Sequence, residues 1–337
     1  MVDYTFEDVF SFENMYIACK NCYKGVNWKT STQKYKLNAI CNVAQTFNEL
    51  HKGTYKSRGF YQFVLRERGK VRTIKSIHIS ERVVQKCLCD NCLVPALSKS
   101  LIYDNGACLK GKGLYFTTNR LKAHLQQYYR KHKGNNGYVL TFDFSKFFES
   151  IPHDQLIRKV AQKVKDPRII KLFTHFVDQF GNIGLGLGSQ ISQISALFYI
   201  NDFDHYIKEK LHIKYYGRYM DDGYLIHQSK DYLKYCLREI LRLSKEMGLT
   251  INLKKTRIWK LEKGFMFLNR HWLLTPKNYI KTKPSHKTMV RIRRKYRKMS
   301  KIAKPEHIQT FLSSVHGFLK FYNNERLFAY VQVKTWF

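Results

Sequence analysis

The sequence predicts an α+β fold: helices and one β-hairpin first, then a β-α-α-β-β-α-β core, then a basic helical tail. Three observations predict it. Short runs rich in β-branched and aromatic residues, such as GFYQFVLRE and GYVLTFDF, are separated by longer stretches of helical period. Gly- and Asn-rich segments stand where the chain must reverse between them. From about Thr282 onward, cations crowd onto a helical pattern.

Each element follows in order. Residues 1–55 read mainly as helical, and Ser11, three residues before Asn14, is placed to cap the helix of SFENMYIACKNC. GFYQFVLRE and KVRTIKSIHI read as two strands around the turn Arg68-Gly69-Lys70. A helix from about Ser80 to Val94 follows, and Pro95 is expected to stop it because proline has no amide to donate. The Gly-rich loop YDNGACLKGKG precedes a long basic helix, NRLKAHLQQYYRKH, and KGNNG is a loop before the strand GYVLTFDF. After Pro152 the pattern is helical to about Phe180; the loop GNIGLGLGSQ then leads into the helix ISQISALFYINDFDHYI. KYYGRYMDDGYLIHQS reads as two short strands flanking a tight turn. A helix over roughly 230–247 and two further strands, LTINLKKTRIW and GFMFLNRHWL, complete the core.

Composition narrows the class of partner. The 337 residues with 44% hydrophobic content suffice for a sizeable core, which excludes wholesale disorder. Sixty Lys and Arg stand against 25 Asp and Glu, a net charge of +35 that self-repels unless a polyanion is near. The 23 Tyr and 23 Phe are interleaved with these cations, a mixture that suits nucleic acid and single strands especially. A membrane is the competing polyanion. However, no apolar run approaches the ~20 residues of a spanning helix. The opening MVDYTFEDVFSFE is acidic and aromatic, the opposite of a targeting sequence. Nucleic acid, and no membrane, is the expected partner.

The eight cysteines have no secretory context and read as cytosolic thiols, so a cytoplasmic location is expected. Cys19-x-x-Cys22 and the group Cys87, Cys89, Cys92 have spacings that could grip zinc. The apolar spacing of VVQKCLCDNCLVPAL favours a buried helix face instead, and no His pair follows at zinc-finger spacing.

Chemistry concentrates in the carboxylates. Tyr219-Met220-Asp221-Asp222 puts two adjacent carboxylates in a hairpin turn, an arrangement that needs a cation to neutralise it. Asp143 lies mid-strand between Phe142 and Phe144, where an unpartnered carboxylate is costly. Divalent metal answers both, and Mg²⁺ prefers one or two carboxylates together with phosphate oxygens. A lone DD in a turn is usually structural, since Asp favours turns. The ordered combination with Asp143 and the Gly-rich loop argues otherwise.

The segments FDFSKFF, GLGLGSQISQ, YMDD, GLTINLKKT and FMFLN occur in the order and spacing of the palm motifs of reverse transcriptases, which the chain resembles from the hairpin near Arg72 to the basic tail. Within that class it looks like the prokaryotic retroelement enzymes related to those of group II introns. The resemblance implies an RNA-directed DNA polymerase built as a right hand. Residues 1–110 would form α-rich fingers with a hairpin clamp. Residues 111–274 would form a ferredoxin-like antiparallel palm, with helices over 111–135 at its junction with the fingers, and 275–337 a basic helical thumb. Seven cations between Arg291 and Lys301, with no acidic residue among them, suit a thumb gripping duplex phosphates. No RNase H, endonuclease or maturase segment is expected.

Roles carry over position by position. Asp143 and Asp221 would ligate two metal ions, Mg²⁺ with Mn²⁺ as the alternative; Asp222 completes the carboxylate set and Phe144 offers its backbone carbonyl. One ion would activate the primer 3′-hydroxyl and the other would stabilise the leaving pyrophosphate. Phe148, five residues after Asp143, falls where reverse transcriptases place an aromatic steric gate against the ribose 2′-OH; a buried core ring is its plainer reading. Arg72 matches a fingers arginine that clamps the incoming triphosphate, assisted by Lys75. Lys255 matches a general acid for the pyrophosphate, with Lys254 its rival one residue away. FMFLN matches the primer-grip hairpin, with Asn269 where the family usually has Gly; Asn tolerates positive φ better than most residues.

The loop before YMDD departs from the commoner QGxxxSP. It reads Leu187-Gly188-Ser189-Gln190-Ile191-Ser192-Gln193, and LGxxxSQ resembles the enzymes of diversity-generating retroelements, whose copying of template adenines is error-prone. Some antiphage reverse transcriptases share parts of this layout. Leu187, Gly188 and Gln193 are expected at the nucleotide, where an apolar Leu removes hydrogen-bond discrimination. Gly186 and Gly188 let the backbone approach closely. Expected partners are a dedicated structured or noncoding RNA, dNTPs and the cDNA product, with a small accessory protein or a second copy of the chain as further candidates. The competing reading is a catalytically silent RNA-binding scaffold with a polymerase fold.

Overall fold

The computed structural model of the protein describes residues 4–67, 70–322 and 326–332. Ser11 caps the helix Phe12–Cys22 as expected, its Oγ accepting the amide of Asn14 at 3.3 Å. β1 (Phe60–Glu67) and β2 (Lys70–Ile77) pair antiparallel from Phe60↔Ile77 to Glu67↔Lys70. Arg68 and Gly69 of the expected turn lie outside the described residues.

Pro95 does not stop the next helix. The chain runs helical from Ile79 to Leu88, widens into a π turn over Cys89–Leu93 and continues through Val94–Ser98. The amide of Val94 reaches back to the carbonyl of Cys89, so Pro95 falls at the start of the next segment, where its missing amide has no partner to lose. Cys87, Cys89 and Cys92 are buried in this helix, and burial pushes the thiols of Cys22, Cys87 and Cys92 up to about 12. Such thiols are protonated and pack as small apolar groups.

The central sheet has the strand order β4-β5-β3, with β6 and β7 both on the far side of β3. The strands are β3 (Tyr138–Ser145), β4 (Tyr215–Tyr219), β5 (Asp222–His227), β6 (Thr250–Ile251) and β7 (Arg257–Lys260). All pairings are antiparallel. Two helices (His153–Ala161 and Pro167–Asp178) and a third (Gln190–Tyr199, continuing as Asn201–His205) separate β3 from β4, and Lys230–Glu246 separates β5 from β6. This is the ferredoxin-like plan. The expected single helix to Phe180 is split because Asp166 caps a new one at Pro167, accepting from Arg168 and Ile169.

LTINLKKTRIW is not one strand. The carbonyl of Asn252 accepts the amides of Lys255 and Thr256 and the hydroxyl of Thr256, which closes a turn between β6 and β7. GFMFLNRHWL is not one strand either but the hairpin that the resemblance implied, β8 (Phe265–Phe267) and β9 (Arg270–Leu274); Leu268 and Asn269 take φ of +50° and +59° at its turn. A third strand, β10 (Ile280–Pro284), joins β9, so helix does not begin near Thr282. Extended backbone ahead of Pro284 is what proline imposes on its predecessor. The tail turns helical at His286 behind the Ser285 cap.

Two cores face the sheet. Phe142 and Phe144 pack edge-on against Phe203 on the helical side. Tyr215 and Tyr224, on the other face, join Leu121, Leu125 and Tyr128 of the helix Leu114–His132 and Trp272 of β9. Helices His286–Ile302, Pro305–Lys320 and Arg326–Gln332 form a separate small core around Met289, Val315 and Leu319.

Candidate active site

Strand alternation explains why Asp143 is available. Phe142 and Phe144 face the helical layer, so Asp143 between them projects from the opposite face. It is buried and stands directly across from Asp222 in the β3–β5 pairing. The hairpin β4–β5 closes on the two residues Met220 and Asp221, and Met220 takes φ of +52°, as the first residue of such a tight turn does. The amide of Phe144 donates to the carbonyl of Asp221 at 3.1 Å, which sets the Phe144 backbone beside the turn. Gly223 then has to be glycine: a Cβ there would stand 2.2 Å from the Phe142 ring.

Carboxylate oxygens of Asp143, Asp221 and Asp222 lie within 4.8 Å of one another. Burial, then the charges of Asp221 and Asp143, push the Asp222 carboxyl up to about 7. Lys255 Nζ donates to Asp143 Oδ2 at 2.5 Å. Burial opposes its charge, but the hydrogen bond to Asp143 and the three carboxylates hold its pKa above the ordinary value. The amide of Asn252 donates to the carbonyl of Asp143 at 2.7 Å, so the Asn252 turn aims Lys255, and not Lys254, at the cluster. This donor set, three hard oxygens that repel one another, fits a divalent cation.

A pH dependence follows. Asp222 has an ordinary carboxyl value of 3.8 when unfolded and about 7 when folded. Its ionisation therefore disfavours the metal-free fold, an effect absent below the lower value and complete above the higher. A divalent ion must displace that proton below about pH 7 and meets a bare carboxylate above it. The rise in thermal midpoint on adding Mg²⁺ or Mn²⁺ should be small near pH 5.5 and large near pH 8. An equal rise at both would remove Asp222 from the ion's neighbourhood.

Of the other expected residues, Phe148 and Lys75 are tied to the loop before the β4–β5 hairpin. Phe148 is half-buried beside the fully packed Phe147, and its carbonyl accepts the amide of Leu185 at 2.7 Å. That bond ties the loop carrying Leu187 and Gly188 to the residue five positions after Asp143. Leu187 is exposed, and Gly188 takes φ of +95°. Gly186 packs under Phe180, which stacks on Phe60 of β1 at 5.0 Å; Lys75 Nζ lies 5.4 and 5.8 Å from those two rings. Lys75 thus marks where the hairpin meets the loop. Arg72 stands in β2 opposite Leu65. Gln193 sits half-buried in the first turn of the helix Gln190–Tyr199.

One group was not foreseen. Arg218, next to Tyr219, is fully buried and forms a two-pronged ion pair with the equally buried Asp204, at 2.8 and 2.5 Å. Its remaining nitrogen donates to the carbonyl of Met220 at 2.7 Å, and Tyr216 adds a hydrogen bond to Asp204. The backbone of Arg218 pairs with Asp104 and Gly106, while Asp104 itself is held by Arg120 and Lys208. The sequence carried a signal: Ile200, Phe203, Asp204 and Ile207 share one helical face, and a carboxylate on an apolar face asks for a cation.

A ferredoxin-like palm with three clustered carboxylates, flanked by a helical region bearing a hairpin and by a three-helix tail, defines a right-hand nucleic acid polymerase. The profile of the reverse transcriptase (RNA-dependent DNA polymerase) family matches residues 62–272, and the chain belongs to that family of nucleotidyltransferases. Among solved structures it is similar to telomerase from Candida tropicalis truncated from its C-terminal domain, with 14% identity over 73% of this chain and 60% of that one, TM-score 0.50. Telomerase from Candida albicans in complex with a fragment of telomeric RNA gives 12% identity over 80% and 57%, TM-score 0.55. The chain thus spans 60% or less of the length of these two chains, and the likeness is one of fold. No curated protein matches the sequence. Among the described residues, no helix is long and apolar enough to cross a membrane.

Proposed function

We propose that the protein copies a dedicated structured or noncoding RNA into cDNA by two-metal nucleotidyl transfer, within a diversity-generating retroelement or an antiphage defence system of a bacterium or phage, in the cytoplasm. The observation that carries the chemistry is the clustering of Asp143, Asp221 and Asp222 within 4.8 Å, with Lys255 on Asp143. When bound, two Mg²⁺ ions would supply activation of the 3′-hydroxyl and charge stabilisation on the pyrophosphate. Asp143, Asp221, Asp222 and the Phe144 carbonyl would hold them. Lys255, whose pKa is held above its ordinary value, would give its proton to the leaving group. Arg72 and Lys75 on the hairpin would hold the triphosphate, and Leu187, Gly188 and Gln193 would border the nucleotide.

The LGxxxSQ loop supports the mutagenic retroelement over the defence role. Pulling the protein from its host and sequencing attached RNA and DNA tests the reading. DNA complementary to one discrete RNA, present only with intact aspartates and mutated at template adenines, is the expected result. RNA bound without DNA, under normal growth and phage challenge alike, would favour the silent scaffold.

Phe148 supports dNTP selection. Phe148→Ala should raise ribonucleotide over deoxyribonucleotide incorporation by at least about ten-fold, the scale on which a pocket senses one small group. An unchanged ratio in single-nucleotide extension would leave Phe148 as packing alone.

A further inference from the structure

A buried carboxylate lies in the helical region that carries the hairpin. Glu81, in the first turn of the helix Ile79–Leu88, is 1% exposed, and neither of its oxygens has a hydrogen-bond partner. Burial pushes its carboxyl above the ordinary value. Gln179, Ser57 and the Arg58 backbone lie near enough to ease the charge, but none completes a well-formed bond to it. A carboxylate so placed is costly, and in a native fold it calls for a partner.

Glu81 borders a cavity of about 30 Å³. Oxygen donors line it from several elements: Tyr35 of the helix Thr30–Leu37, Thr46 and Glu49 of the helix Ala39–His51, then Tyr55 and Ser80. Tyr35 Oη is a second buried oxygen with no partner. Burial raises the Tyr55 phenol, and the charges of Glu81 and Glu49 add to that rise, so both carboxylates lie near one hydroxyl. Lys56 and Arg58 also border the cavity, but both are exposed. Among the described residues, neither forms an ion pair with Glu49 or Glu81. No Cys or His is among the lining residues, so the donor set is one of hard oxygens. A space of this size holds one ion and at most about two waters. Mg²⁺ keeps several waters and fits poorly, whereas Ca²⁺ or K⁺ exchanges its water for protein oxygens.

We propose that Glu81 and Glu49, with the hydroxyls of Tyr35, Tyr55 and Thr46, hold a single dehydrated hard cation, at a site separate from the Asp143 cluster. The ion fastens the root of the hairpin. Tyr55 leads into β1, and Glu81 follows the end of β2 by four positions, so both strands leave the helical region here. One cation ties that root to the two helices that supply Tyr35 and Glu49. The site uses none of the polymerase carboxylates, so it stands or falls apart from that reading.

The test is thermal unfolding of the full chain carrying Asp221→Ala and Asp222→Ala, which disables ion binding at the candidate active site. Ca²⁺, K⁺ and Mg²⁺ are added separately at constant ionic strength. Ca²⁺ or K⁺ should raise the midpoint by about 3 °C or more at saturation, and Mg²⁺ by less. Glu81→Gln keeps the shape and removes the charge. It should melt no lower than its parent without the ion, and it should lose the rise. Tyr35→Phe deletes one ligand at little cost to folding and should weaken the ion's affinity by about ten-fold. Amide exchange in β1 and β2 should slow on adding the ion to the parent and not to Glu81→Gln. No rise with Ca²⁺ or K⁺, a rise that survives Glu81→Gln, or an equal rise with Mg²⁺ overturns the proposal. In the first case Glu81 is a protonated acid over a buried water.

Discussion

Asp143→Asn should abolish DNA synthesis while leaving RNA binding nearly intact. Removing one hard ligand and its charge from a metal cluster forfeits several kcal/mol of transition-state stabilisation; about 4 kcal/mol is roughly 10³-fold in rate. Binding survives because it depends on cations elsewhere, such as those between Arg291 and Lys301. The metal-free protein should not lose stability in proportion. The substitution costs Lys255 a charged partner but relieves the crowding that pushes Asp222 upward. Primer extension on an RNA template, with binding measured in parallel and Asp221→Ala/Asp222→Ala alongside, checks this. Synthesis within about ten-fold of the native rate would mean that the cluster is not the reaction centre.

Asp204→Ala should unfold or severely destabilise the protein, because it strands the Arg218 guanidinium in a site with no exposure. Breaking a buried pair from one side costs about 3–5 kcal/mol. Replacing both partners with apolar residues, as in Asp204→Leu/Arg218→Met, removes the stranded charge and should recover most of that stability. It should not recover the rate. Without Arg218 nothing donates to the Met220 carbonyl from this side, and the turn carrying Asp221 loses its brace. Losing a group that orients ligands costs about 10–100-fold in activity or metal affinity. We therefore expect the double variant to melt near the native midpoint, with kcat down by that factor and KM for dNTP little changed. Full activity in a stable double variant would show that the pair is scaffolding only.

These two sites differ in how far they could be read in advance. Asp143, Asp221 and Asp222 were legible because each violates its local pattern, a carboxylate among Phe residues or two side by side in a turn. Leu187, Gly188 and Phe148 were singled out through motif order, and the bond from Leu185 to the Phe148 carbonyl ties their two segments together. The hairpin at FMFLN–RHWL forms with Asn269 accepting the positive φ its turn needs. Lys254 and Lys255 could not be separated in sequence. A turn on the Asn252 carbonyl, closed by bonds from residues three and four positions on, decides which lysine meets Asp143.

The sequence by itself determined the order of elements, the ferredoxin-like core and the identity of the three carboxylates, since hydrophobic period and turn residues act within a few positions of the chain. Tertiary structure alone decided what depends on distant partners. It carried the helix through Pro95 on a π turn, broke residues 249–259 into two strands, and inserted β10 where helix was expected. It also joined Asp204 to Arg218, fourteen residues apart and on different elements, beside the Met220–Asp221 turn. Burial creates that pair: in water neither charge needs the other, and inside the fold neither can do without it.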